Sequence, residues 1–223
     1  MSSHVADQRP ETTGLVITTP RRYDLRLWIH TRGQEGRFRR EQVRLARLAP
    51  GESVLDVGCG TGGFVIEAAR AVAPGGSVVG VDPSPEMVGW ARGKARRKGS
   101  RATFAVAAAE ALPFPEASFD VVTLSLVLHQ LPSDALHGGM AEIRRVLRPG
   151  GRLFALDIGG PQREGRRTAH APHGHHGADG GFDLERVAMF FDHLGFGRLG
   201  SGAVDFRFIY LEDLRYVLAR RGD

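Results

Sequence analysis

The residues with the most chemical content lie in one short stretch: Asp56, then the turn Gly58-Cys59-Gly60-Thr61-Gly62-Gly63, directly after the apolar run Ser53 to Val57. Glycines spaced this way permit backbone conformations and close approaches that a Cβ would block. A helix opening just after such a turn offers unpaired N–H groups and a partial positive charge, so a carboxylate or phosphate could be seated there. The spacing of Gly58, Gly60 and Gly63 also fits the G-x-G-x-x-G pattern, which alone does not name a ligand.

One carboxylate narrows the choice between a nicotinamide dinucleotide and S-adenosylmethionine, and a second supports an adenosine ligand of either kind. Asp56, two residues before the first glycine, would repel a pyrophosphate but suits a ligand bearing an ammonium and a sulfonium, by direct or water-mediated contact. Asp82 closes the next apolar run and is placed to accept hydrogen bonds from ribose hydroxyls, a role common to both ligands; capping the helix that follows is its competing role. If an acceptor needs a general base, His129, Asp157 and Tyr23 are the candidates, with His129 foremost.

The elements that must position these groups alternate. Strands are expected at Ser53 to Val57, Ser77 to Val81, Ala102 to Val106, Phe119 to Leu124 and Arg152 to Asp157. Helices are expected over Phe64 to Ala73, Pro85 to Arg97 and Ser133 to Leu147, with a further helix at Leu184 to Leu194. The alternation predicts an α/β, Rossmann-like, doubly wound and mostly parallel sheet. An antiparallel C-terminal strand, two strand-like runs (Arg198 to Val204 and Phe206 to Leu211) and a terminal helix are expected after it. Residues 1–20 lack periodicity and read as a disordered tail. Residues 21–223 read as one domain with a helical preface over 21–50.

At this point a resemblance is plain. Val54-Leu55-Asp56-Val57-Gly58-Cys59-Gly60-Thr61-Gly62 resembles the first motif of class I S-adenosylmethionine-dependent methyltransferases. Val81 to Met87 resembles their acidic loop, Ala109 to Phe114 their adenine-side loop, Phe119 to Val122 their fourth strand and Arg145 to Gly151 the turn before the fifth. Order and spacing resemble the ubiquinone and menaquinone biosynthesis methyltransferase subfamily (methyltransferase type 11), over roughly residues 36–157. The resemblance implies S-adenosyl-L-methionine as cofactor and a small, apolar or aromatic methyl acceptor. It implies that Gly58, Cys59, Gly60 and Gly62 wrap the methionine end, and that Asp82 holds the ribose. Pro83 and Met87 would pack on the adenine or ribose, Ala109 would offer its N–H to the adenine, and Leu124 or Ser125 a carbonyl to the ammonium. Ala108 stands where many relatives carry Asp against the adenine amino group, and Glu110 is the substitute at hand.

Composition bounds the alternatives. The 223 residues suit one domain, and 42% hydrophobic residues support a core. The first twenty residues are polar where a leader would need an apolar block, and no run suits a membrane span, so a cytoplasmic protein is expected. The single cysteine, Cys59, has no disulfide partner and no zinc-site spacing around it. The net charge of +5 comes almost wholly from arginine, and runs such as Arg37 to Arg40 read as solvated faces, so no nucleic-acid partner is expected. His170, His173, His175 and His176 lie among glycines in a stretch over 158–182 that reads as a lid loop, with no metal. A homodimer is left open. The rivals are an S-adenosylmethionine-binding protein catalysing a reaction other than methylation, a nicotinamide-dependent oxidoreductase and an RNA methyltransferase.

Overall fold

The computed structural model of the chain describes residues 8–158, 190–206 and 214–222. Two helices come first, α1 (Pro20–His30) and α2 (Glu35–Leu45). The alternating part follows: β1 (Ser53–Val57), α3 (Gly63–Ala71), β2 (Ser77–Asp82), α4 (Pro85–Arg97), β3 (Thr103–Val106), β4 (Phe119–Ser125), α5 (Ser133–Val146) and β5 (Leu147–Ile158). β6 (Phe196–Ala203) and β7 (Leu214–Arg221) complete the described elements. The sheet runs β3-β2-β1-β4-β5-β7-β6; the first five strands are parallel, and β7 is antiparallel to both β5 and β6.

The parallel strands are apolar on both sides because both faces are covered. Helix α5 closes one face over Leu55, Val122, Leu124 and Leu153. Helices α3 and α4 close the other, packing Phe64, Val65, Val88 and Ala91 against Val54, Val78 and Val121. Strand order reverses between β1 and β4, which opens a crevice at the carboxyl ends of those strands. Helix α4 starts sharply because Ser84 accepts from the Met87 N–H at 3.2 Å and Pro85 opens its first turn.

Three expectations need correction. Residues 8–19 are not a loose tail: Leu15 donates its N–H to the Gln130 carbonyl at 3.3 Å, and the Thr12 hydroxyl donates to Glu110 at 2.8 Å. Contacts of this kind leave no periodicity to read. The terminal helix is instead strand β7. Leu, Arg and Ala there favour a helix locally, but β7 pairs with β5 from Arg152↔Arg220 to Ile158↔Leu214. Its side chains alternate accordingly, Val217 and Ala219 entering one core and Leu214 and Leu218 the other. In addition, β5 begins at Leu147 rather than Arg152. Residues 204–206 form no strand, and the rest of the run expected to Leu211 lies outside the described residues. So do the histidine cluster, the lid stretch beyond Ile158 and the first part of the helix expected at 184–194.

Helix α1 is anchored through one carboxylate. Asp24 of α1 accepts from Thr61 Oγ1 at 2.6 Å, Trp90 Nε1 at 2.7 Å and Lys94 Nζ at 2.9 Å. Burial works against its charge, yet these donors hold its carboxyl below the usual range. Three elements thus meet on one carboxylate. Asp24→Ala is expected to cost about 2 kcal/mol of stability, seen as a lower denaturation midpoint, and to open α1 to proteolysis. An unchanged midpoint would contradict the anchoring.

Candidate functional site

A cleft lies where β1 and β4 part, at the carboxyl ends of the strands, where open α/β sheets seat their ligands. Its floor is Val57 and the turn residues Gly58 and Gly60. Gly58, at φ +74°, must be glycine, since a Cβ there would come within 2.4 Å of Val127. Gly62 must be too: at φ +76° its Cβ would strike the Phe104 ring and Ala91 at 2.8 to 2.9 Å. One wall is Asp82, Pro83 and Met87, another Ala107, Ala109 and Glu110, and a third Ser125, Leu126 and Val127. Tyr23 of α1 and the segment Thr12, Gly14, Leu15 and Ile17 lie across it.

Asp82 takes one backbone N–H on each oxygen, from Gly60 and from Ser84, both at 2.9 Å. Each oxygen keeps a lone pair, so the carboxylate could also accept from a vicinal diol. Burial raises its pKa, against those two N–H groups. Glu110 is the complementary feature. Its Oε1 accepts from Thr12, while its buried Oε2 has no hydrogen-bond partner among the described residues. A buried acceptor left unmatched is costly and fits a donor arriving with a ligand.

His129 and Asp157 form a pair, with Nδ1 and Oδ1 2.7 Å apart, and the His129 N–H donates to Oδ2 at 3.3 Å. Asp157 is fully buried. Burial pulls the imidazole pKa down, but the Asp157 hydrogen bond and charge more than offset this, and the net shift is upward. Neither residue lines the cleft; the Gln130 amide, 3.3 Å from His129 Nε2, does. Tyr23 lines the cleft, and its buried phenol is pushed up: desolvation leads, Arg39 opposes, and the charges of Asp82, Glu35 and Asp24 add. It is therefore a hydroxyl donor at neutral pH and not a base.

Five other residues expected at the site stand behind the cleft wall. Asp56 accepts from the Thr123 hydroxyl at 2.6 Å and is buried. Cys59 is buried against Gly80, and burial pushes its thiol well up. Gly62 caps α3, and Ala108 and Leu124 are core residues. Sequence reasoning missed the strap over 12–17 and a relay from α2, in which Arg39 donates to Gln42 at 2.9 Å and Gln42 to Ser125. The available signal was polar: Arg39 and Gln42 occupy the buried side of α2 beside Phe38 and Leu45. Leu126, at φ +60°, is strained where the chain folds back over the glycine turn, as residues at sites often are.

Residues 54–151 match the methyltransferase domain family. Over 143 residues the chain is 37% identical to the ubiquinone/menaquinone biosynthesis C-methyltransferase UbiE of Geobacter sulfurreducens, covering 63% of this chain and 55% of that protein. It is 38% identical over 141 residues to the demethylmenaquinone methyltransferase of Symbiobacterium thermophilum, covering 62% and 55%. The chain thus spans little more than half the length of these curated relatives. A SAM dependent methyltransferase from Aquifex aeolicus shares the fold, at a TM-score of 0.68 and 20% identity, over 91% of this chain and 98% of that one. Matched motifs and sheet order together define a class I S-adenosylmethionine-dependent methyltransferase domain. Within that class, the curated relatives it is similar to are of the UbiE kind.

Asp56 supplies a test of the buried electrostatics. Burial pushes its carboxyl up to about 7, against the Thr123 hydrogen bond and Arg39, with the Asp82 charge adding. The unfolded carboxyl titrates near 3.8, so the folded chain binds the extra proton between the two values. Stability from this group therefore falls as pH rises through that window and levels off above it. Asp56→Asn should raise the melting temperature more at about pH 8 than at about pH 5. An equal change at both would contradict a buried carboxylate of raised pKa.

Proposed function

We propose that the chain transfers a methyl group from S-adenosylmethionine to a small, apolar or aromatic metabolite bound in the same cleft. The observation that carries this reading is the pair of acceptors on one cleft: the Asp82 carboxylate and the orphaned Glu110 oxygen. A ribose diol and an adenine amino group are the donors an adenosine would bring to them.

The cofactor, when bound, supplies an electrophilic methyl group on a sulfonium. Asp82 accepts from the ribose hydroxyls and Glu110 from the adenine amino group, in place of the carboxylate missing at Ala108. Met87 and Pro83 wall the nucleoside, while Gly58, Gly60 and Ser125 approach the amino-acid end. Asp56, Cys59, Gly62 and Leu124 contribute by holding the turn and β4 in place. Leu15, Ile17, Leu126, Val127 and Leu131 give the remaining wall an apolar surface suited to an apolar acceptor. Held by Asp82, Glu110 and the glycine turn, the cofactor would supply its sulfonium methyl group to an acceptor atom lying against the apolar wall. Much of the rate comes from alignment and exclusion of water.

Where the acceptor loses a proton, neutral His129, set behind Gln130 and held by Asp157 with its Nδ1–H donated inward, takes it through a bridging water. Because Asp157 raises its pKa, activity should increase with pH through a value above the 6.5 of an ordinary histidine. His129→Gln should lower kcat by about a hundredfold and flatten that rise while leaving cofactor affinity unchanged. Unchanged kcat would return His129 to a supporting role.

Transfer of labelled methyl to a panel of quinol-type and phenolic acceptors tests the reaction itself. Asp82→Ala, folded to the wild-type melting temperature, should weaken S-adenosylmethionine binding tenfold to about a hundredfold. Unaltered affinity would refute the ribose assignment, and cofactor binding without transfer to any acceptor would refute the activity.

A further inference from the structure

Helix α1 has two faces of opposite character. Tyr23 and Leu27 turn inward, and Asp24 holds the helix to the glycine turn and α4. On the other side Leu25, Trp28 and Ile29 are 58%, 60% and 44% exposed, and Leu15 of the neighbouring strap is 49% exposed. These four are the large apolar side chains exposed among the described residues. The i, i+3, i+4 spacing of Leu25, Trp28 and Ile29 gathers them into one patch. The Gly33 N–H donates to the Trp28 carbonyl at 2.8 Å, and the indole nitrogen lies beside Gly33.

The charge is as uneven as the apolar surface. Arg22, Arg26 and Arg32 are exposed around the patch, and Arg21, also exposed, has its guanidinium 5.5 Å from the Trp90 ring. From Pro20 to Arg47 nine arginines stand against three acids, a surplus of +6, whereas the whole chain carries +5. All three acids already face cations: Asp24 meets Lys94, Glu35 meets Arg39 and Glu41 meets Arg44. The exposed side of α1 therefore carries several arginines together with a tryptophan and two aliphatic side chains.

That combination suits the boundary between lipid headgroups and acyl chains, where apolar side chains and tryptophan sink in and guanidiniums meet phosphates. A nucleic acid would use the arginines but leave Leu25 and Ile29 in water. We propose that α1 seats the protein peripherally on an anionic phospholipid surface, with Leu25, Trp28 and Ile29 in the interface and Arg22, Arg26 and Arg32 on lipid phosphates. The cleft then opens beside the bilayer, because Tyr23 of the same helix and Leu15 of the strap both line it. The inference goes beyond methyl transfer and does not depend on it, since membrane binding is measured without cofactor or acceptor.

The test is cosedimentation of the full chain with phosphatidylcholine vesicles and with vesicles partly replaced by phosphatidylglycerol, at low and raised salt. Binding to the anionic vesicles alone, weakened by salt, is expected. Arg22→Gln with Arg26→Gln should reduce it about fivefold per arginine. Trp28→Ser should weaken it and abolish the blue shift of tryptophan emission that vesicles cause. These side chains are exposed, so both variants should melt with the wild type, which separates lost binding from lost folding. Absence of vesicle binding overturns the proposal, whether or not the chain binds RNA or dimerises through Trp28. So does vesicle binding that neither variant changes.

Discussion

The rest of the structure depends on how the turn after β1 is held to the end of β2. The N–H groups of Gly58 and Cys59 both donate to the Val81 carbonyl at 2.8 Å, and the Gly60 N–H donates to Asp82. A turn that would otherwise be free is thereby fixed against the neighbouring strand, and the same contact orients the Asp82 carboxylate toward the cleft. Thr61, one residue on, reaches Asp24 and so places α1 over the turn. Strand, turn, carboxylate and covering helix form one connected unit, and the cleft is the space that unit leaves.

Much of this was legible in the sequence because it follows from local chemistry. Short apolar runs separated by amphipathic helices specify a parallel sheet, and glycines before a helix mark its ligand-binding edge. Helix α4 runs from Pro85 to Arg97 as expected because Ser84 and Pro85 signal its start within the sequence itself. What was not legible rests on partners far along the chain. The strap over 12–17 has no pattern of its own and is placed by Gln130 and Glu110. Strand β7 has helical composition and becomes a strand because β5 offers an open edge. At the site, position in a motif did not reveal which way a side chain points: Asp56 and Cys59 sit within the ligand motif yet turn into the core. His129 and Asp157, considered singly, proved to be one pair separated by 28 positions.

The site is built by keeping charge in a low-dielectric setting with few, aimed donors. Asp56, Asp82 and Asp157 lie at the carboxyl ends of β1, β2 and β5, each held by hydrogen bonds from the chain itself. Such carboxylates cost stability when ionised, which the upward shifts of Asp56 and Asp82 express. Asp82, which alone of the three lines the cleft, is thereby oriented in advance of any ligand. Glu110 goes further, with one oxygen committed to the strap and the other left for a donor.

The central claim is that this cleft is made for an adenosyl sulfonium and not for a dinucleotide. Calorimetric titration of the purified chain with S-adenosylmethionine, its demethylated product and NAD addresses it directly. Binding of both adenosyl compounds, with no heat from NAD, is the predicted result; NAD binding in the absence of either would contradict the account.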